Sequence, residues 1–277
     1  MKIDEVITDT IIAVYQDPEL AGWLFLKGGS AMRIFDNCTS RLSIDADFSI
    51  VKSIKNEKLF FGVIRKNVGV HFRKLKFDII DFKQTRKPRK IDPKKPDWWG
   101  GWLCEFKLVS FEFRGKSLNV KRRNALIPEG ANSSKIILEI SEYEYCGKSR
   151  IKSILGVKIK GYSRELIVLE KIRAICQQHP EYQFRSSKNR ARDFYDIYEL
   201  TTDIDDGFSK RCSKHIQKVF KAKEVPLNFL DDLWRDDFID EQRRGFDEVK
   251  NTVTGNIQDF DVYVEHLRFL VKEIASN

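Results

Sequence analysis

The sequence offers little cysteine chemistry. Its five cysteines, Cys38, Cys104, Cys146, Cys176 and Cys212, are odd in number, widely spaced and never paired as C-x-x-C, which argues against a disulfide framework or a zinc knuckle. No stretch approaches the roughly 18 uninterrupted apolar residues that a membrane span requires. The opening MKIDEVITDT places Asp4, Glu5 and Asp9 where a secretory leader needs a basic then apolar run, so a cytoplasmic protein is expected. The four histidines (His71, His179, His215, His266) are scattered, without the i, i+4 spacing of a metalloprotease helix. There is no G-x-S-x-G elbow, no G-x-x-x-x-G-K-[ST] loop and no internal repeat.

What the chain does have is length, apolar content and an uneven charge. With 277 residues, 42% hydrophobic and 33% charged, it can build one large domain or two modest ones, and wholesale disorder is excluded. The net charge of +9 is concentrated at one end: residues 1–160 hold 31 basic and 19 acidic side chains, whereas 161–277 hold 19 and 22. The first part should attract polyanions and the second should not. Residues 83–95 (KQTRKPRKIDPKK) carry seven cations against the single Asp92, a density that suits contact with a phosphate backbone.

Periodicity outlines the organisation. Ile3, Val6, Ile7, Ile11 and Val14 fall at near-helical spacing before Pro18, predicting an amphipathic helix over 3–16. The apolar run 23–26, then Lys27-Gly28-Gly29-Ser30, then 31–35 reads as strand, glycine turn and helix start. Residues 42–50 (LSIDADFSI) alternate between Leu42, Ile44, Ala46, Phe48 and Ser43, Asp45, Asp47, Ser49, predicting a strand with one polar face. Residues 55–72 read as helix, 76–82, 103–113 and 135–145 as strands, and 83–102 as an exposed basic insertion containing Trp98, Trp99 and Trp102. Those indoles could stack on bases, pack onto the sheet or form a partner-binding patch. After a boundary near Lys160 the chain reads as helical, over 164–178 with Ser163 as N-cap, then 190–201, 207–223, 226–250 and 259–275. The expected domains are 1–160 and 161–277.

Chemistry resides in a few spacings. A glycine turn between strand and helix leaves backbone N–H groups free at the positive end of the helix dipole, so Gly28-Gly29-Ser30 can cradle a phosphate; alone it is equally an ordinary turn. One residue separates Asp45 from Asp47, and strand geometry projects both carboxylates from one face, as hard ligands for magnesium or as a solvated edge. Glu139 lies in the apolar run KIILEIS, where an unpaired charge is costly, and is either a metal ligand or solvated. Asp78 and Asp81 are alternatives. Lys171 is a helix cation, and Asp193 can pair locally with Arg190 or Arg192.

In combination these residues resemble a known family. Gly28-Gly29-Ser30, a helix, then Asp45-x-Asp47 is similar to the nucleotidyltransferase signature of the polymerase-beta-like superfamily. The flanking form, Lys27-Gly28-Gly29-Ser30 to Arg41-x-Ser43-x-Asp45-x-Asp47-Phe48, resembles the AbiEii toxin family more closely still. Glu170-Lys171-Ile172-Arg173-Ala174 resembles that family's E-K-x-x-A helix, and Arg190-Ala191-Arg192-Asp193-Phe194-Tyr195-Asp196 its K/R-D-x-x-D helix. The resemblance spans about residues 23–201 and implies an α/β plus α fold: an N-terminal nucleotidyltransferase-type mixed β-sheet with flanking helices and a C-terminal helical domain that completes the active-site cleft.

It further implies an enzyme that moves a nucleoside monophosphate from an NTP to an acceptor hydroxyl and releases pyrophosphate. Asp45, Asp47 and Glu139 would hold Mg2+, in a two-ion site. Gly28, Gly29, Ser30, Arg41, Ser43 and Lys171 would bind the nucleotide, and Lys171 and Asp193 would join Asp45 and Asp47 in catalysis. The expected partners are RNA, through segment 83–95 and at a tRNA 3′ end, and a cognate antitoxin of a toxin–antitoxin or phage-defence pair. A protein hydroxyl as acceptor, or a non-catalytic nucleic-acid-binding module on the same fold, are the alternatives.

Overall fold

The computed structural model describes residues 1–40, 42–88, 96, 99–185, 188–254 and 257–277. The chain divides into two compact units, one of residues 1–35 and 42–161, the other of 36–41 and 162–277.

The first unit is a mixed sheet with helices. Its elements are α1 (Ile3–Tyr15), α2 (Pro18–Trp23), β1 (Phe25–Lys27), α3 (Gly28–Asp36), β2 (Asp45–Ser49), α4 (Glu57–Lys74), β3 (Phe77–Lys87), β4 (Gly101–Ser110), α5 (Leu118–Arg123), β5 (Ile136–Ser141), β6 (Ser149–Ile154) and β7 (Val157–Tyr162). The seven described strands run in the order β3-β4-β5-β2-β1-β7-β6. β1 pairs antiparallel with β2 and parallel with β7, and β2 pairs parallel with β5.

The apolar stripe of α1 is buried as its spacing predicts, from Ile3 through Val14. Asp17 caps α2 by accepting the N–H groups of Glu19 and Leu20, both at 3.0 Å, with Pro18 at the first helical position. The inner face of the sheet carries Leu26, Ala46, Phe48, Cys104, Phe106, Leu138 and Ile140, all buried. Phe48 meets Tyr15 of α1 at 6.0 Å between ring centres, and Phe106 meets Phe72 of α4 at 6.1 Å. Burying such rings contributes about 1.5–3 kcal/mol each.

Two expectations of this unit are corrected. Residues 83–87 are not loop: they extend β3, and Trp102 is buried at 6% exposure in β4. Its indole N–H donates to Glu142 at 3.2 Å. Of the readings open to that tryptophan, packing onto the sheet is the one observed, while Trp98 and residues 89–95 lie outside the described residues. Strand β2 begins only at Asp45, leaving Leu42 and Ile44 exposed at 46% and 48%.

The second unit is helical: α6 (Arg164–Cys176), α7 (Ala191–Thr201), α8 (Phe208–Lys221), α9 (Asp236–Arg243), α10 (Phe246–Lys250) and α11 (Phe260–Ala275). Ser163 caps α6 by accepting the Leu166 N–H. Aromatic rings join α7, α10 and α11, with Phe194–Phe260 at 5.2 Å and Phe246–Phe260 at 5.1 Å. Residues 36–41 belong here because Asp36 pairs with Arg164 at 3.1 Å and Ser40 donates to Glu199 at 2.8 Å. The expected helix 226–250 is instead a 3-10 turn (Leu227–Trp234) followed by the short α9 and α10.

All five cysteines are free, and burial pushes the Cys104 thiol up to about 12. Among the described residues no helix is long and apolar enough to cross a membrane.

Candidate active site

The expected residues of the first unit gather where β1 ends. Lys27 closes the strand, Gly28 turns the chain with φ at +63°, and α3 starts at that glycine. The first N–H groups of a helix have no partner inside it and face outward at the positive end of its dipole. A Cβ added to Gly28 would stand 2.3 Å from Asp47 Oδ2 and 3.1 Å from its Cγ. Glycine is therefore needed twice over, for the left-handed backbone and for the carboxylate against it.

Strand register places the acids. In β1–β2 Lys27 faces Asp47, and in β2–β5 Asp47 faces Glu139. Registered neighbours share a face, and side chains two residues apart do too. Lys27, Asp45, Asp47 and Glu139 thus share the side of the sheet opposite Phe48 and Leu138.

The two expected hydroxyls, those of Ser30 and Ser43, meet at the Asp45 carbonyl. Ser30 is fully buried, donates to the Asp45 carbonyl at 2.8 Å, and lies 3.2 Å from the Ser43 hydroxyl. Ser43 is buried as well, 3.3 Å from the same carbonyl. Both serines clamp the backbone of Asp45. Arg41 lies outside the described residues.

Glu139 stands beside Asp47 in the β2–β5 register. Its carboxylate is ion-paired with Lys87 of β3, and among the described residues no group of three His, Cys, Asp or Glu side chains is placed to hold a metal ion. Asp45 and Asp47 remain a pair of hard oxygen donors on one strand face, the ligand chemistry that suits a divalent cation. The alternatives Asp78 and Asp81 are committed elsewhere, Asp78 to Arg114 at 3.1 Å and Asp81 to Arg122 at 2.8 Å.

The second unit holds a compact ionic cluster. Lys171 of α6 donates to Asp193 at 2.9 Å and to Asp196 at 2.7 Å, both on α7, and Arg190 lies 3.5 Å from Asp193. Burial would lower the Lys171 ammonium, but Asp193 and Asp196 outweigh it and hold the group above the usual lysine range. Of the local pairings open to Asp193, the one with Arg190 forms. Asp196, only 1% exposed in its side chain, was not among the expected site residues. Its signal was present: three positions after Asp193 puts both carboxylates on one helix face.

The arrangement in the first unit, a glycine turn at a helix start with two strand carboxylates beside it, agrees with what the chain resembles when compared with known proteins. The family model described as nucleotidyl transferase AbiEii toxin, type IV TA system, matches residues 12–266. No curated protein matches. Among solved structures, an H. pylori protein assigned to the nucleotidyltransferases aligns with a TM-score of 0.50 at 16% identity, covering 99% of this chain and 95% of that one. MenT4, a nucleotidyltransferase toxin of Mycobacterium tuberculosis, aligns with a TM-score of 0.44 at 12% identity, covering 99% and 91%. The first of these likenesses supports the fold, an α/β sheet unit followed by a helical part. The family match covers most of the chain, which therefore belongs to the AbiEii nucleotidyltransferase toxins of type IV toxin–antitoxin systems.

Proposed function

We propose that this nucleotidyltransferase toxin uses Mg2+ to move a nucleoside monophosphate from an NTP onto a hydroxyl of RNA, at the 3′ end of tRNA, in the cytoplasm. The observation that carries this reading is the seat of Asp47: its carboxylate rests on the Cα of Gly28, where α3 begins. Anionic phosphate at the helix start and carboxylate ligands at its side are then a few ångströms apart, which is what divalent-ion catalysis of phosphoryl transfer requires. A bound divalent ion would neutralise triphosphate charge and favour departure of pyrophosphate. Asp45 and Asp47 would be its ligands, with Glu139 as a third only once Lys87 releases it.

The acceptor oxygen forms a bond to the α-phosphorus as the bond to the pyrophosphate oxygen breaks. From the second unit, Lys171 is assigned to the triphosphate charge and Asp193 to orienting that lysine, with Asp196 as its other partner. The +12 surplus of residues 1–160 favours RNA over a protein as acceptor. The family's toxin–antitoxin membership implies an antitoxin partner, and we extend this to a role in phage defence.

The test is incubation of wild type and Asp47→Ala with each α-labelled NTP, Mg2+, total tRNA and cell protein. Label should enter tRNA with the wild type alone. Label found only in protein would establish the protein-hydroxyl alternative, and wild-type toxicity retained by Asp47→Ala would favour the non-catalytic module.

A further inference from the structure

Between β4 and β5 the chain carries a run of charge that no part of the reading above uses. From Phe113 to Pro128 it holds Arg114, Lys116, Lys121, Arg122 and Arg123 and no acid. The last three sit on α5, whose N-cap Ser117 accepts the Val120 N–H.

Two of the five cations dock the segment onto β3. Arg114 pairs with Asp78 at 3.1 Å. Arg122 grips Asp81 through Nη2 at 2.8 Å and through Nε at 2.9 and 3.0 Å from its two oxygens. Lys116, Lys121 and Arg123 join no ion pair among the described residues, and Lys116 and Arg123 are exposed. No residue of α5 is buried, so neither docking nor packing accounts for these three.

Strand register tells which face of the sheet α5 lies on. Leu103 of β4 opposes Glu139, and alternation puts Glu105 and Lys107 on the same face. Lys107 pairs with Asp81 at 3.2 Å, and Asp81 is the carboxylate that Arg122 grips. The helix is therefore anchored on the face of Asp45, Asp47 and Glu139, opposite the one where Phe106 meets Phe72 of α4.

The same register gives the separation. Asp45 opposes Ile137, which opposes Glu105, so Lys107 lies two strands and two residues from Asp45, about 12 Å at ordinary strand dimensions. Glu105, the acid between them, is paired with Lys135 at 2.7 Å.

We propose that α5 and the turn before it, through Lys116, Lys121 and Arg123, form a phosphate-backbone contact for the RNA acceptor, holding it while its end reacts at Asp45 and Asp47. This rests on the RNA reading given above and adds to it a surface outside segment 83–95. A polyanion is the partner that an acid-free run of cations fits. An anionic membrane is the lesser fit: α5 has six residues, about 9 Å of helix, and exposes only Leu118 and Val120 as apolar side chains, too little to insert.

The experiment uses the full chain and labelled tRNA, with binding measured from about 50 to 200 mM salt. Lys116→Gln/Arg123→Gln removes two exposed cations from the proposed contact. Lys58→Gln/Lys66→Gln removes two exposed cations from α4, on the other face of the sheet, as a control. Each phosphate contact contributes about 0.7 to the salt slope with single-stranded acceptor, so two contacts amount to about 1.4 decades, or roughly 25-fold, near 0.1 M salt. The α5 variant should lose that slope and affinity while melting like the wild type, and the control variant should bind unchanged.

Equal slopes for all three proteins, with tRNA still labelled by the wild type, would overturn the α5 assignment and leave the RNA reading intact. An equal loss in the control variant would make the attraction one of total charge and overturn the assignment as well. Wild type that neither binds nor labels any RNA would overturn both. Loss of binding to phosphatidylserine–phosphatidylcholine vesicles by the α5 variant, with tRNA binding unaffected, would make the partner a lipid surface and reject the proposal.

Discussion

Gly28 is where backbone conformation and chemistry meet, and Gly28→Ala separates the two. An alanine at φ +63° adopts the left-handed region at a cost of about 1–2 kcal/mol. Its Cβ would also stand 2.3 Å from Asp47 Oδ2, so the carboxylate must retreat by about 1 Å to reach ordinary contact, leaving its preferred rotamer for a further ~1 kcal/mol. The total is about 2–3 kcal/mol in urea unfolding. In an Asp47→Ala background the carboxylate is gone, and only the backbone cost of about 1–2 kcal/mol should remain. A double-mutant cycle therefore predicts a coupling of about 1 kcal/mol between the two positions. Transfer activity of Gly28→Ala should fall by about 100-fold, since a displacement of ~1 Å at a reacting centre costs that much. If Gly28→Ala destabilised both backgrounds equally, the carboxylate would not rest on that glycine and the proposed seat of Asp47 would be wrong.

Lys171→Met removes the cation that Asp193 and Asp196 share and should destabilise the protein by about 3–5 kcal/mol in urea; a loss below ~1 kcal/mol would refute the cluster's structural weight. Because the folded ammonium is held above the usual lysine range, its contribution is complete below about pH 10.4 and is lost as pH rises through the higher folded value, so an alkaline stability scan should show this loss in the wild type and not in the variant. Ser30→Ala removes the donor to the buried Asp45 carbonyl and should cost about 1–2 kcal/mol, read by thermal melting; an unchanged melting point would mean the clamp on Asp45 does not exist. Arg211, hydrogen-bonded to Asp205 at 2.7 Å, and next the Gly207 N–H at 2.9 Å hold that carboxyl down to about 2; NMR titration of Arg211→Gln should move it up toward, but short of, the ordinary ~3.9, and no movement would assign the depression to another cause.

Local pattern recovered those elements whose neighbours in space are also neighbours in sequence. The stripe from Ile3 to Val14 and the cap at Ser163 depend on contacts within a few residues or on one buried face, and both can be read from the spacing alone. The basic run 83–87 misled because cations without local acids look solvated. Their partners are Glu142 and Glu139, 56 and 52 residues away, and those pairings turn the run into strand. The same pairing gives Glu139, beside Asp47 in register, a cationic partner. Strand β2 was placed three residues too early because Leu42 and Ile44 continue its alternation, although neither is buried. The β6–β7 hairpin was not anticipated, since Lys and Ile alternate there on a half-exposed edge and neither face is uniformly apolar. Lys171 and Asp193 were legible as motif positions; that Lys171 has two carboxylates depends on how α6 packs against α7.

The fold and the site are the same arrangement viewed from opposite faces of one sheet. A side-chain period of two means that burying Leu26, Phe48 and Leu138 under α1 and α4 obliges Lys27, Asp47 and Glu139 to point the other way, whatever their charge. A one-residue slip of β2 would bury two carboxylates and expose Phe48, a cost far beyond the roughly 5–15 kcal/mol that holds a domain together. The hydrophobic face thus fixes the register, and the register fixes which charges meet. Parallel pairing with β5 places Glu139 next to Asp47, and antiparallel pairing with β1 places Lys27 and the Gly28 turn on its other side. The like charges of Asp47 and Glu139 are tolerated because Lys87 is paired with one of them. A divalent cation would satisfy the same repulsion, so the energetic need that Lys87 meets in this structure is the one a metal ion would meet in catalysis.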